Sequence, residues 1–132
     1  MLTNLARFNA IIERGFSQGD LTDADEICAE NLVEHEYLSP TDIPGPPILK
    51  AQIEDARRSI RDLTLAVEAV VEAGDTVWAR SKATGVDPRS GKPVAIDVMD
   101  ICRFADGKLV ERWGVPDRFA LLHQVGALPP RK

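Results

Sequence analysis

The segment at residues 94–117, VAIDVMDICRFADGKLVERWGVPD, constrains the fold more than any other part of the chain. Apolar and ionisable residues alternate along it on both sides of Asp106-Gly107, which is the pattern of two β-strands joined by a tight turn. A purely structural hairpin would carry Val or Ile at its half-buried positions. Here these positions are shared with Asp97, Asp100, Arg103, Glu111 and Arg112. Which of them point inward decides whether the protein has a chemical site.

Two registers of this hairpin are physically sound. With a two-residue turn, Ala105 faces Lys108, and one face carries Asp100, Glu111, Trp113 and Asp117. With a three-residue loop, Phe104 faces Lys108 and Asp100 faces Arg112. We favour the second register because a buried charge requires a partner and because a cavity wall should be mostly apolar. Its inner face would carry Ile96, Val98, Asp100, Cys102, Val110, Arg112, Gly114 and Pro116.

The remaining sequence predicts helices followed by strands. Apolar residues at three- and four-residue steps indicate helices over residues 2–16, about 22–32 and about 48–60. The segment SPTDIPGPP at residues 39–47 must be a loop. Period-two alternation then indicates strands over about 63–71 and 76–86, and a short apolar tail at 119–125 adds a helical turn. This order predicts one α+β domain over residues 1–132, with an antiparallel sheet of about four long strands packed on three N-terminal helices.

Composition narrows the function classes. A formal net charge of −5 disfavours nucleic acid or an anionic membrane surface as a partner. The N-terminus lacks the features of a signal peptide, so we expect a cytoplasmic protein. Cys28 and Cys102 have no metal-ligand spacing and are interpreted as small buried hydrophobes. His35 and His123 are far apart in sequence, and no phosphate loop is present, so neither a metal nor a cofactor is expected.

The chain resembles a known family over nearly its whole length. The residues that carry the resemblance are Gly19-Asp20, the segments 31–35 (NLVEH), 70–75 (VVEAGD), 100–113 (DICRFADGKLVERW) and 121–126 (LLHQVG), Asp117, and the Gly-Pro loop before the third helix. The pattern is similar to the nuclear-transport-factor-2-like superfamily and, within it, to the SnoaL-like polyketide cyclases. The resemblance implies a cone-shaped α+β fold with an internal pocket, and a homodimer formed through the outer face of the sheet.

The resemblance also implies roles for two residues. In ketosteroid isomerases of this superfamily, an Asp at the position of Asp100 stays protonated and donates a hydrogen bond to a developing oxyanion. The isomerase general base lies in the segment that matches residues 33–36, where His35 falls. His35 as base and Asp100 as acid or oxyanion donor are therefore the candidate catalytic residues.

Two residues depart from the family pattern, so no known mechanism of the family can be carried over intact to this chain. The cyclases and the related limonene-epoxide hydrolases carry a catalytic Asp three residues before the position of Asp117, and here Gly114 stands there. The tyrosine that isomerases use from the first helix would fall near Ile12. An epoxide-hydrolase-like enzyme therefore needs a rearranged site.

Several interpretations stay open. Asp100 is either a neutral donor with a raised pKa or one half of a fixed ion pair with Arg112, which would anchor an anionic or carbonyl group. Arg112, Tyr37, Val98 and Gly114 are candidate substrate-binding residues, although Tyr37 could equally be a solvated loop residue. The protein is then a cyclase or isomerase acting on a small carbonyl or polyketide-like compound, a non-catalytic protein that binds a small apolar molecule, or a structural dimer module.

Overall fold

The protein's structure is a computed structural model that describes residues 3–35 and 45–128. In chain order its elements are α1 (Asn4–Ala10), a π-helical continuation (Ile11–Phe16), α2 (Ala24–Ile27), β1 (Cys28–Glu34), α3 (Pro46–Ser59), β2 (Arg61–Ala73), β3 (Thr76–Val86), β4 (Pro93–Ala105), β5 (Lys108–Pro116) and α4 (Arg118–Gln124). The predicted α+β class is confirmed. No helix within the described residues is long and apolar enough to cross a membrane.

The five strands form one curved sheet in the order β1-β5-β4-β3-β2. Strands β2 to β5 are the four long antiparallel strands expected from the sequence. The edge strand β1 pairs with β5 in parallel, so the sheet is mixed rather than purely antiparallel. Helices α1 and α3 pack on one side of the sheet, which we call the inner face, and the opposite side is the outer face.

The second predicted helix is mostly wrong. Only Ala24–Ile27 is helical, and the chain then becomes strand β1. Cys28 and Leu32 are both buried, and their four-residue spacing mimics a helical face. Residues four apart lie on the same face of a strand as well as of a helix, so this spacing alone does not distinguish the two. Tertiary pairing with the exposed edge of β5 therefore overrides the local helical pattern.

The core lies between the inner face and the helices. Its fully buried members include Phe8 from α1, Ile53 from α3, Val77 from β3, Cys102 from β4 and Leu109 from β5. The apolar positions of α1 and α3 recur at helical spacing and meet the alternate residues of the strands. This arrangement places every second residue of β4 and β5 toward the interior.

The favoured three-residue loop is wrong, and the two-residue turn of the other register is correct only for the residues next to the turn. Ala105 pairs with Lys108 across a two-residue turn, and a bulge then skips Val110, so that Arg103 pairs with Glu111. The bulge moves the register by one residue, which restores the face assignment that the three-residue loop would have given. Asp100 consequently lies opposite Gly114, not Arg112, while all three remain on the inner face.

Helix α4 closes one end of the sheet without entering the core. None of its residues is buried. The side-chain amide of Gln124 makes two hydrogen bonds with the backbone of Ala95, at 2.9 Å to its N–H and 2.8 Å to its carbonyl oxygen. Ala95 lies in the part of β4 that extends beyond β5, so Gln124 takes the place of a missing strand neighbour there.

Candidate functional site

A buried arginine between two carboxylates lies at the centre of the inner face. Arg112 Nη2 donates to Asp100 Oδ1 at 2.6 Å, and Arg112 Nη1 donates to Glu34 Oε2 at 2.8 Å. The exposed fractions of the three side chains are 4% for Arg112, 1% for Asp100 and 0% for Glu34. We call these three residues the acid–arginine cluster. Strands β1, β4 and β5 each supply one member, so the sheet fixes its geometry.

The guanidinium of Arg112 fills the space that a side chain at position 114 would need. A Cβ built on Gly114 would lie 2.8 Å from Arg112 Nη2 and 3.1 Å from its Cζ. The Phe16 ring lies on the Arg112 guanidinium, with its centroid 5.0 Å from Cζ, a cation–π contact. The absence of a side chain at position 114 therefore has a structural role. It leaves the space in the interior that the guanidinium of Arg112 occupies.

The electrostatics of the cluster oppose full ionisation. One guanidinium and two carboxylates carry a formal charge of −1 when all are ionised. Burial raises the pKa of the Asp100 carboxyl, and the neighbouring Arg112 only partly opposes this effect. Burial also disfavours the charge on Arg112, but Asp100 and Glu34 outweigh it and raise the pKa of the guanidinium. Arg112 is thus permanently charged, and Asp100 is the member of the pair that is pushed toward its protonated form.

Three buried polar atoms in this region have no hydrogen-bond partner among the described residues: Asp100 Oδ2, Arg112 Nε and Ser81 Oγ. Ser81 lies opposite Val98 on the strand next to β4, and Asp100 lies two residues further along from Val98. A buried polar atom without a hydrogen-bond partner destabilises the folded state. These three atoms therefore mark a polar region in which a ligand atom or a water molecule could supply the hydrogen bonds.

A cavity of about 230 Å³ opens between the inner face, α3 and α4. Val98, Arg112 and Gly114, three of the residues selected from the sequence, line it. Most of the other lining residues are apolar: Phe16, Ala56, Ile60, Leu63, Leu65, Ala83, Ile96, Pro116, Leu121 and Leu122. Asp100 is not among the lining residues, because the Arg112 side chain lies between it and the cavity.

Polar residues line the cavity on the side of α3 and α4. Gln52, Asp55 and Ser59 recur at three- and four-residue steps on α3 and share its cavity-facing side. Arg118 joins them from α4. A larger open groove of about 700 Å³ shares Asp55, Ser59 and two leucines of α4 with the cavity. This shared wall is the mouth of the cavity.

His35 lies on the opposite side of the sheet from Asp100, so the two do not meet as expected. Its Nε2 is 2.6 Å from Glu111 Oε2, and Glu111 Oε1 in turn accepts from Arg103. Its ring stacks on Trp113 at 4.4 Å between centroids. The physical reason is strand alternation: His35 directly follows Glu34, and the side chain of Glu34 points inward. Arg103 and Glu111 point outward, as the sequence suggested.

Sequence reasoning missed Glu34, Phe16 and Asp55. The signal for Glu34 was available, since a strand that buries Leu32 must turn residue 34 to the same face. It was overlooked because the segment looked helical. Asp55 has charged neighbours at positions 54, 57 and 58, so the sequence pattern favours a solvated position for it. Tyr37 lies outside the described residues. Among the described residues, no group of three His, Cys, Asp or Glu side chains could hold a metal ion.

Residues 6–125 match the family model of the SnoaL-like polyketide cyclases. Because the match covers most of its length, the chain belongs to the SnoaL-like polyketide cyclase family of the nuclear-transport-factor-2-like superfamily. The resemblance inferred from the hairpin and loop motifs is thereby confirmed. No curated protein matches the chain.

Solved structures show the same fold. A candidate polyketide cyclase from Bacillus cereus ATCC 10987 is 26% identical, with a TM-score of 0.77 over 95% of this chain and 79% of that chain. IdmH from Streptomyces antibioticus, also a candidate polyketide cyclase, is 25% identical, with a TM-score of 0.76 over 91% and 96%. AclR from Streptomyces galilaeus, a candidate hydroxylase, is 22% identical, with a TM-score of 0.77 over 98% and 87%, a likeness of fold alone.

The close approach of Gly114 and Arg112 predicts a large effect of a single methyl group. Gly114→Ala should displace the guanidinium from its two carboxylates and lower the free energy of unfolding by about 3 kcal/mol, the cost of breaking a buried ion pair. Urea denaturation measures this change. Glu54→Ala, at an exposed position of α3, should change stability by less than about 0.5 kcal/mol. A Gly114→Ala protein as stable as wild type would contradict the packing described here.

The raised pKa of Asp100 predicts a pH dependence of stability. The folded protein holds a proton there at pH values where the unfolded chain, with an ordinary pKa near 3.8, has released it. Wild type should therefore lose stability relative to Asp100→Asn as pH rises through the raised pKa, by at most about 1.4 kcal/mol per pH unit. Denaturation of both proteins from pH 4 upward measures the difference. If wild type instead gains stability relative to Asp100→Asn as pH rises, Arg112 holds Asp100 charged and the raised pKa is contradicted.

Proposed function

We propose that this protein catalyses proton transfer on a small, mostly apolar carbonyl compound bound in the cavity. The observation that carries the proposal is a permanently charged guanidinium in the wall of a mostly apolar cavity. Membership of the SnoaL-like polyketide cyclase family supports the same chemistry. Enolisation of a carbonyl compound is the step that cyclisation and isomerisation share.

Arg112 is proposed to hold the carbonyl oxygen. A guanidinium has five N–H donors, and two of them are used by Asp100 and Glu34. The others can donate to a ligand oxygen. When a proton leaves the adjacent carbon, the C–H electron pair forms the enolate double bond and negative charge develops on that oxygen. A fixed positive charge in an apolar cavity stabilises this charge more strongly than water would.

Asp55 is proposed as the base. It is the one carboxylate among the described residues that line the cavity, and it stands on the rigid helix α3. Its side chain is 25% exposed and is paired with Arg58. The carboxylate would take the proton from the carbon beside the carbonyl. It would return the proton to another carbon in an isomerisation. In a cyclisation the enolate carbon would attack a second carbonyl carbon, whose C=O π electrons move to oxygen, and Asp55 would give the proton to the resulting alkoxide.

Asp100 and Glu34 are proposed as positioning residues. The resemblance implied that Asp100 donates directly to an oxyanion, but the Arg112 side chain lies between Asp100 and the cavity. Two carboxylates on either side of one guanidinium fix its orientation, which is what electrostatic catalysis requires of a charged group. Asp100 would therefore act through Arg112.

A ligand-binding protein without catalysis is the second candidate. The observation that favours it is Gly114, because the usual carboxylate of the last strand is missing and Arg112 fills its space. Binding would then use the same cavity and the same guanidinium. The two candidates differ only in whether the bound compound exchanges a proton.

Deuterium uptake into the methyl group of acetophenone in D₂O separates the two candidates. We expect wild type to accelerate the exchange over buffer. Asp55→Asn should slow it by about a hundredfold or more, the typical contribution of a general base. Mass spectrometry measures the uptake, and Glu54→Gln, on an exposed part of the same helix, is the matched control. Acetophenone that binds without exchange would support the binding protein.

A homodimer through the outer face remains a proposal. Exposed apolar side chains are spread over this face on all five strands: Val33, Val71, Trp78, Met99 and Val115. Acidic and basic residues there are paired within the chain, including Arg80 with Glu68 and Lys82 with Asp97. Such a face can meet its own copy across a two-fold axis without bringing unpaired like charges together.

The proposed interface can be tested with one charge. Met99→Lys should convert the dimer to a monomer, because an unpaired charge would be buried at the centre of the outer face. Light scattering after size-exclusion chromatography measures the mass. Phe119→Lys places the same charge on α4, away from the sheet, and should leave the dimer intact. A monomeric wild-type protein would contradict the proposal.

A further inference from the structure

We propose that the charges around Arg112 make the cavity selective for a neutral carbonyl compound over a carboxylate of the same shape, an inference that rests on the proposed function. An arginine at the end of a cavity would ordinarily attract carboxylates, since the two groups match in charge and geometry. Here Arg112 already has two carboxylate partners within the chain. The question is whether a third carboxylate could join them.

The cluster has no positive charge to offer an anion. Asp100 and Glu34 lie at 2.6 Å and 2.8 Å from the guanidinium, and all three side chains are almost completely buried. Their formal charge is −1, or zero if Asp100 holds a proton. A ligand carboxylate beside Arg112 would therefore meet the negative charge of Glu34, and that of Asp100 as well when Asp100 is ionised. In a site of low dielectric constant that repulsion is strong and is poorly screened by salt.

The other charges that face the cavity do not reverse this balance. Among the described residues, Arg118 and Asp55 are the remaining charged groups of the lining, and both lie near the mouth. Their charges are opposite and equal. Counting the cluster and the lining together, two cations stand against three carboxylates.

A neutral carbonyl avoids the conflict. It needs one or two N–H donors and brings no charge, and Arg112 has donors beyond the two that its carboxylates use. The apolar walls of the cavity suit the rest of such a molecule. The two carboxylates thus do more than position Arg112, since they also remove its attraction for acids while leaving its ability to hydrogen-bond.

Acetophenone and benzoate form a matched pair for the test, because they have the same ring and the same number of non-hydrogen atoms. An apolar cavity of about 150 Å³ accepts benzene, so a cavity of about 230 Å³ has room for either compound. We expect wild type to bind acetophenone at least about tenfold more tightly than benzoate at pH 7, as measured by isothermal titration calorimetry.

The variant Glu34→Gln removes one negative charge and keeps an oxygen that can accept from Arg112 Nη1. It should raise the affinity for benzoate relative to that for acetophenone by about tenfold or more, whether or not Asp100 is protonated. Glu30→Gln, an exposed position on the same strand, removes the same charge from the protein and should change neither affinity.

The outcomes distinguish the inference from the proposed function. Benzoate that binds wild type as tightly as acetophenone overturns the inference and leaves the cavity as a binding site. Benzoate binding that Glu34→Gln does not change but Arg118→Gln abolishes places the anion at the mouth, and also overturns it. If neither compound binds, the proposed function fails as well. If Glu34→Gln does not fold, the wild-type comparison can still overturn the inference, because benzoate that binds as tightly as acetophenone contradicts it.

Discussion

The interior of this protein is organised around one charge that cannot be neutralised. An arginine stays protonated at any physiological pH, so burying Arg112 is tolerable only if other groups compensate it. The compensation comes from three strands, which supply the guanidinium and two carboxylates, and from the π-helical segment that brings Phe16 onto its face. The environment of Arg112 therefore depends on the order of the strands, on the parallel edge strand β1 and on the helical segment that carries Phe16.

The sequence allowed the broad fold and the composition of the inner face to be predicted. Parity explains this success: the three-residue loop and the observed turn-plus-bulge differ by two residues in register, so both send Asp100, Arg112 and Gly114 to the same side. Which residues stand directly opposite one another was not predictable, because it depends on a bulge at Val110 that no turn residue marks. Regular alternation thus predicts which face of the sheet a side chain points to. It predicts the residue opposite on the next strand only where no bulge interrupts the pairing.

The site was harder to predict than the fold, for a local reason. Glu34 and His35 are consecutive residues, and consecutive side chains of a strand point to opposite faces of the sheet. Histidine attracted attention as the residue with the useful pKa, whereas the neighbouring glutamate is the group that reaches Arg112. Predicting it required recognising β1 as a strand, and that strand exists only because β5 offers it an edge. The position of Glu34 beside Arg112 therefore follows from the pairing of β1 with β5 and not from a local sequence motif.

Helix α4 has a consequence for the range of ligands that the cone can hold. Its leucines form part of the wall shared by the inner cavity and the outer groove. Ala120 and Leu121 pack only partly buried against the core, and Gln124 attaches the helix near its C-terminal end. The strands and α3 set the width of the cavity, because moving them would disrupt the core. Its length is set by a weakly packed helix, so this dimension of the cavity can change in evolution without cost to the rest of the fold.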